Sequence, residues 1–282
     1  MTELDKVAAI KTADVTKTTA FMNLMAAEWI KMRSLRSMRW GIALTALGVL
    51  WLNINSALAD ADNYQPGTPY QPTDGQHEIF TNNSHMVVLL VFGALGAILV
   101  VGEYTTGLIR GTFAAVPDRR AVVAAKLVVA TLASTAIGIV IIAVSYAATQ
   151  AVIAGDYGAL SPTTDGVPML LAASVLLFPL SALIGFGIGT LIRNSASTIV
   201  AVVTLLLLLP NIVESRIHRW INDLHNAMPF SAWQRLSIGP KGRPATAYYF
   251  GDPGIGGSWL VYAVWAVVPV ILAFVLVQKR DV

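Results

Sequence analysis

Few residues in this 282-residue chain have types and spacings that suggest chemistry. His77-Glu78 begins like a zinc-binding H-E-x-x-H helix, but the stretch continues through Phe80 and Thr81 with no second histidine. Glu214, His218 and His225 fall at i, i+4 and i+11, so one helix face could carry them toward a metal. Exposed polar residues on an amphipathic helix are the more common outcome of such a pattern. Gly239-Pro240-Lys241-Gly242 and the glycines from Gly251 to Gly257 come nearest to a phosphate loop, yet lack the Lys-Ser/Thr pair that grips phosphate and magnesium. No G-x-S-x-G elbow occurs, and the absence of cysteine excludes disulfides and thiolate metal sites. The expectation is a chain with no ATPase or other catalytic site and with no cofactor or metal of its own. What remains is a set of charges and glycines whose meaning depends on the elements that carry them.

Those elements are membrane spans. Apolar residues make up 55% of the chain and charged residues only 12%, with a mean hydropathy of +0.65. A soluble chain carries about 25% charged residues, so much of this surface must face lipid. A spanning helix needs roughly 20 mostly apolar residues. Six stretches meet or approach that length: 40–59, 86–101, 127–153, 168–192, 196–213 and 259–277. The fold class is therefore all-α, a single transmembrane domain over 1–282. The second stretch is short and should borrow a turn from its flanks. The fourth and fifth are joined by a tight turn at Arg193-Asn194-Ser195. Because the first apolar run begins only at Trp40, no cleavable signal is expected and the first span is retained.

Orientation follows from lysine and arginine. The N-terminal segment holds Lys6, Lys11, Lys17, Lys31, Arg33, Arg36 and Arg39. The loop after the second span adds Arg110, Arg119, Arg120 and Lys126, and Arg193, Lys279 and Arg280 fall on the same side. The outer loops after the first and third spans, 60–85 and 154–167, carry acids but no lysine or arginine. Both termini are expected in the cytoplasm of a multi-pass cell-membrane protein. The exceptions, Arg216, Arg219, Arg235, Lys241 and Arg243, lie in the outer loop 214–258, where a re-entrant flanking span is the alternative reading. Two segments read as interfacial helices. One is 18–39, with Phe21, Leu24, Met25, Trp29, Met32 and Leu35 on one side. The other has Ile217, Trp220, Ile221, Leu224 and Met228 at helical spacing. Within the fourth span, Pro179 should kink the helix. Gly185 and Gly189 have the small-xxx-small spacing of close helix contact, or mark a helix that flexes or lines a pathway. The spans contain essentially no acids or histidines, which argues against an ion-coupled carrier and for power supplied by another chain.

The most informative segment runs Gly102-Glu103-Tyr104-Thr105-Thr106-Gly107-Leu108-Ile109-Arg110-Gly111-Thr112-Phe113 and on through Pro117-Asp118-Arg119-Arg120 to Lys126. It resembles the region after the second span in permease subunits of type-2 ATP-binding-cassette (ABC) exporters. Ala27-Glu28-Trp29-Ile30-Lys31-Met32-Arg33-Ser34 is similar to that family's pre-membrane helix, and Gly185 to Ser195 to its turn after the fourth span. The resemblance covers nearly the whole chain in layout. It implies that 103–120 is a cytoplasmic coupling segment, with Glu103, Gly107, Arg110, Pro117, Arg119 and Arg120 docking a separate ABC ATP-binding subunit. Glu28, Lys31 and Arg33 belong to the interfacial helix. It also implies ATP and magnesium bound by that partner, and a dimer with a second permease copy or a paralogue in the lipid bilayer. No nucleic-acid partner is expected.

The residues can also be read without the resemblance. Glu103 and Arg110 are seven apart and would share a helix face two turns apart, with Gly107 between them admitting another backbone. Pro117 would then end the helix before Arg119 and Arg120. Glu28 lies close to the apolar face of its helix, where an unpaired carboxylate is costly. Its partner is either Lys31, one turn on, or a basic residue of the 110–120 loop. The function expected is export of an amphipathic or lipid-like compound. The alternatives are an intramembrane metalloprotease-like enzyme, which would need paired glutamates and histidines inside spans, and a non-transporting scaffold or immunity protein.

Overall fold

The computed structural model describes residues 3–62, 78–154, 160–213, 218–238 and 253–279. The chain is an all-α multi-pass membrane protein, with no strand among the described residues. The pre-membrane helix α1 (Glu3–Ser34) leads into six helices long and apolar enough to span. These are α2 (Arg36–Asp62), α3 (Asn82–Thr105), α5 (Arg119–Ile153), α6 (Val167–Ile192), the broken fifth span Ser195–Ile212 and α11 (Gly254–Lys279). The fifth span consists of α7 (Ser195–Val203), a π-helical turn (Thr204–Leu208) and α8 (Leu209–Ile212). A short helix α4 (Leu108–Ala115) joins the second and third spans, and α9 (Arg219–Asn226) and α10 (Pro229–Ile238) lie between the fifth and sixth. The second span does extend beyond its apolar core, to 24 residues.

One end of the bundle collects α1, α4 and the corner at Arg193, and it carries most of the described lysines and arginines. It is called the basic end below, and the opposite one the far end. The third span has 35 residues, a rise of about 52 Å against about 30 Å of hydrocarbon. Its first turns therefore project beyond the membrane core at the basic end.

Helical periodicity decides what each span buries. In the first span Trp40, Leu44, Leu47 and Trp51 point away from the protein, while Thr45, Val49, Asn53 and Ala57 are buried. The second and fourth spans form the centre of the bundle, and their backbones touch. A Cβ added at Gly185 would lie 1.8 Å from the Gly93 carbonyl oxygen, and one at Gly96 2.0 Å from that of Ala182. Gly189 packs against Ala97 and Val101. Gly185 and Gly189 thus make the close contact that their spacing allows. Pro179 sits buried inside the fourth span, and the Val175 carbonyl that it deprives of a helical donor lies beside Gly138 of the third.

At the far end the clamp is neutral. The Asn53 side-chain oxygen accepts from Thr81 N (3.1 Å), Thr81 Oγ1 (3.0 Å) and Ser84 Oγ (2.5 Å). Its amide nitrogen donates to the Ile79 carbonyl (3.2 Å) and to Ser145 Oγ (2.7 Å). One buried asparagine therefore ties the first, second and third spans together with its polar capacity filled.

The loop between the fifth and sixth spans is more deeply built in than its sequence suggests. Helix α9 exposes Trp220 and Leu224, and Met228 after it is buried. Helix α10 is inserted between the fourth and sixth spans. Trp233 is buried and donates to Ser174 Oγ at 3.1 Å, and Arg235 is held by Asn226 and Ser258. His85 stands inside the first turn of the second span. It is fully buried, with its ring 4.6 Å from that of Trp233 and 5.0 Å from that of Phe230. Ile217, Arg216, Lys241 and Arg243 lie outside the described residues.

Candidate coupling site

Three elements converge at the basic end. Helix α1 lies on the second and third spans through Met32, which packs with Met38, Leu95, Val129 and Ala133. That contact turns Glu28, one helical turn before Met32, inward as well. The last turn of the second span presents Glu103, and the projecting start of the third span presents Lys126. The four charges close a square. Lys126 Nζ donates to Glu28 Oε2 at 2.6 Å and to Glu103 Oε1 at 2.9 Å. Lys31 Nζ donates to Glu28 Oε1 at 2.8 Å and to Glu103 Oε1 at 3.0 Å. The side chains of Glu28, Glu103 and Lys126 are 8%, 12% and 9% exposed, whereas Lys31 is 45% exposed.

Ions taken out of water persist only when paired with good geometry, and here each carboxylate meets both ammonium groups. For Lys31, burial favours the neutral amine. The carboxylates of Glu28 and Glu103 outweigh it and hold the pKa above the ordinary lysine value. The sequence offered Glu28 two alternative partners. The structure gives it Lys31 and, instead of a residue of the 110–120 loop, Lys126, because the third span and not the loop packs against α1.

The segment beyond Glu103 also differs from a single helix. The second span ends at Thr105, where Thr106 caps it, and Gly107 takes φ 71°, a left-handed conformation that glycine adopts without penalty. Glu103 and Arg110 therefore do not share one helix face. No atom lies within 4 Å of a Cβ placed on Gly107. Within this chain Gly107 serves the left-handed turn. Helix α4 buries Ile109 and exposes Leu108 and Arg110. Pro117 and Asp118 form the corner after it. Asp118 caps the third span, accepting from Arg120 N (3.0 Å) and Ala121 N (3.1 Å). The Arg119 guanidinium lies 5.2 Å from the centre of the Phe113 ring and closes the corner. Arg33 and Arg120 are exposed.

A further contact was not anticipated from sequence. The Arg193 guanidinium, at the corner between the fourth and fifth spans, sits 4.6 Å over the Tyr104 ring. The signal for it is faint, an arginine where glycine usually ends a helix.

Glu103, Lys31, Glu28 and Lys126 are thus brought together, with Arg110, Arg119 and Arg120 on the adjoining corner. Pro179, Gly185 and Gly189 belong instead to the packed interior of the fourth span. For the metal reading at Glu214, His218 and His225, Glu214 lies outside the described residues. His225 Nδ1 is 3.2 Å from the Pro210 carbonyl, and no group of three metal-ligating side chains exists among the described residues.

Residues 24–211 match the model of a family described as ABC-2 family transporter protein. No curated protein matches the chain. The matched stretch covers two thirds of the sequence, from α1 through the charge square to the fifth span. The chain belongs to the ABC-2 transporter family, as a membrane component without an ATPase domain.

Proposed function

We propose that this membrane component is the permease subunit of an ABC exporter that moves an amphipathic or lipid-like compound across the cell membrane. A separate ATP-binding subunit powers it and holds ATP and magnesium. The basic end faces the cytoplasm, in keeping with the loop charges. The ATPase docks on α4 and its corner, and a second permease copy or a paralogue completes the pathway.

The observation that carries this reading is the buried charge square beside an exposed, arginine-bearing short helix. A force applied to α4 reaches Glu103 within a few residues. From there it passes, through two lysines, to the pre-membrane helix and to the third span together. The fourth span, in backbone contact with the second, follows. Apart from the square, the described spans bury no carboxylate, lysine or arginine, which suits a cargo with apolar surface.

Arg110 is the clean probe, because it is exposed on α4 and takes no part in the square. Losing one charge-assisted contact costs about 1.5–3 kcal/mol, roughly tenfold or more in a docking equilibrium. Arg110→Ala should therefore insert and melt like wild type. It should recover much less ATPase subunit on co-purification, and lose ATP-driven translocation of a fluorescent phospholipid in proteoliposomes. Arg219→Ala, at the far end, is the matched control. Wild-type recovery and translocation in Arg110→Ala would leave the segment a mere basic anchor. Single cysteines, free of background in this cysteine-free chain, test the orientation. Those at Ser34 and Asp118 should label only after permeabilisation, and one at Trp220 should label from outside.

A further inference from the structure

The corner between the fourth and fifth spans carries a conflict between its backbone and its side chain. Arg193 has φ 59°, and among the described residues it is the only non-glycine with positive φ. Its backbone N–H ends the fourth span by donating to the Gly189 carbonyl at 2.9 Å. Glycine serves this position in most helices of this kind, because it has no Cβ to clash. Asn194 begins the next helix by itself, its side chain accepting from Ser197 N at 3.1 Å and its carbonyl from Thr198 Oγ1 at 2.6 Å. A residue unsuited to the backbone is kept at this corner, and its guanidinium lies over Tyr104. Tyr104 sits between Glu103 of the charge square and the turn at Gly107. Backbone strain retained against local preference points to a task for the side chain.

We propose that Arg193 is a positioning residue: its guanidinium, stacked on Tyr104, holds the fourth–fifth span corner to the coupling segment so that the two move as one body during the transport cycle. This rests on the permease reading above and adds a second route out of the coupling segment. The square leads to α1 and the third span, and the stacked pair leads to the fourth and fifth.

The test uses the complex with its ATPase subunit. Nitroxide labels go on cysteines introduced at Leu108 and Ala196, both exposed, with labelled chain diluted into unlabelled chain. In wild type the distance between the labels should stay narrow and unchanged between the nucleotide-free and the ATP–vanadate-trapped states. In Arg193→Gly it should broaden or shift on trapping. Phospholipid translocation per ATP should then fall roughly three- to tenfold, the scale of one partly desolvated cation–π contact. Melting temperature should hold or rise, since glycine suits φ 59°, and ATPase recovery should not change. Tyr104→Phe keeps a ring and should behave as wild type. Tyr104→Leu should match Arg193→Gly, and the double variant should be no worse than either.

A lowered melting temperature in Arg193→Gly would make the side chain a plain structural brace and overturn the proposal. So would unchanged label distances with unchanged translocation per ATP. Failure of the permease reading shows separately, as ATPase recovery that Arg110→Ala does not reduce.

Discussion

The two ends of the bundle solve the same problem with different chemistry. Each must hold the first three spans, or the helix leading into them, in one arrangement. The far end uses one neutral amide, Asn53, and three hydroxyls, of which Ser84 and Ser145 are buried and Thr81 is half-buried. The basic end uses two carboxylates and two ammonium groups, and leaves Lys31 half open to solvent. A neutral network with every partner supplied has one best geometry and little reason to change it. A charge square with one accessible corner can exchange a partner for water or for another protein's charge. Under the proposed permease function, the far end would hold and the basic end would receive the signal.

The largest effect that would break or sharpen this contrast is expected at Lys126. Lys126→Met leaves Glu28 and Glu103 buried, with only Lys31 between them. Removing one partner of a buried ion pair costs about 3–5 kcal/mol. Purified protein should show a large drop in melting temperature and in yield, and Glu28→Gln added to Lys126→Met should restore part of both. Equal stability of Lys126→Met and wild type would show that the square is not closed in the membrane.

Asn53→Leu comes next. It orphans donors and acceptors on Thr81, Ser84 and Ser145, and a buried group left without its hydrogen bond costs about 1–3 kcal/mol. The melting temperature should fall, but ATPase recovery and the ATP turnover of the assembled complex should stay near wild type. A loss of turnover without loss of stability would erase the distinction between the two ends.

The smallest effect is at Glu78, beside the far-end network. Burial pushes its carboxyl above the ordinary 4.5, with Asp60 adding to the shift and Ser56 opposing it. A folded pKa above the unfolded one makes the protonated form the favoured one. The stability it contributes is present below about pH 4.5 and is lost as pH rises through the raised value. Melts of wild type and Glu78→Gln should therefore diverge on going from pH 4 to pH 7, wild type losing ground. Parallel curves would remove Glu78 from the account.

Much of this was readable from sequence, for identifiable reasons. Hydropathy placed the six spans, because the bilayer imposes length and composition on each. The Gly185 and Gly189 spacing reported a real backbone contact. Glu28 stood out because an acid on an apolar helix face needs a partner. Lys126 was noticed but not as that partner, since counting it as one more positive loop residue already explained its presence. Asn53, Ser84 and Ser145 went unseen because a search for charged or metal-ligating groups passes over neutral ones. Treating 103–110 as one helix also misplaced Arg110, as Gly107 can continue a helix or turn out of it and only neighbouring contacts decide. Helix α10 was taken for loop because its burial depends on spans distant in sequence, such as Ser174 under Trp233.

The π turn in the fifth span has a geometric consequence of its own. Pro210 has no N–H and its ring would collide with the carbonyl four residues earlier. The chain widens into the turn at Thr204–Leu208, where Leu209 N–H reaches back to the Thr204 carbonyl and Asn211 Nδ2 donates to that of Leu207 at 2.7 Å. In an ordinary α-helix, residues every four apart drift around the axis by about 40° per step. A stripe of Ser197, Ala201, Leu205 and Leu209 would then spiral away from any neighbour. The wide turn reverses part of that drift in its last step, from Leu205 to Leu209, and both line one groove with Ser197 and Ala201 of the same span and Ile188 and Ile192 of the fourth. The proline thus turns the end of the span back toward the groove instead of letting it spiral further away.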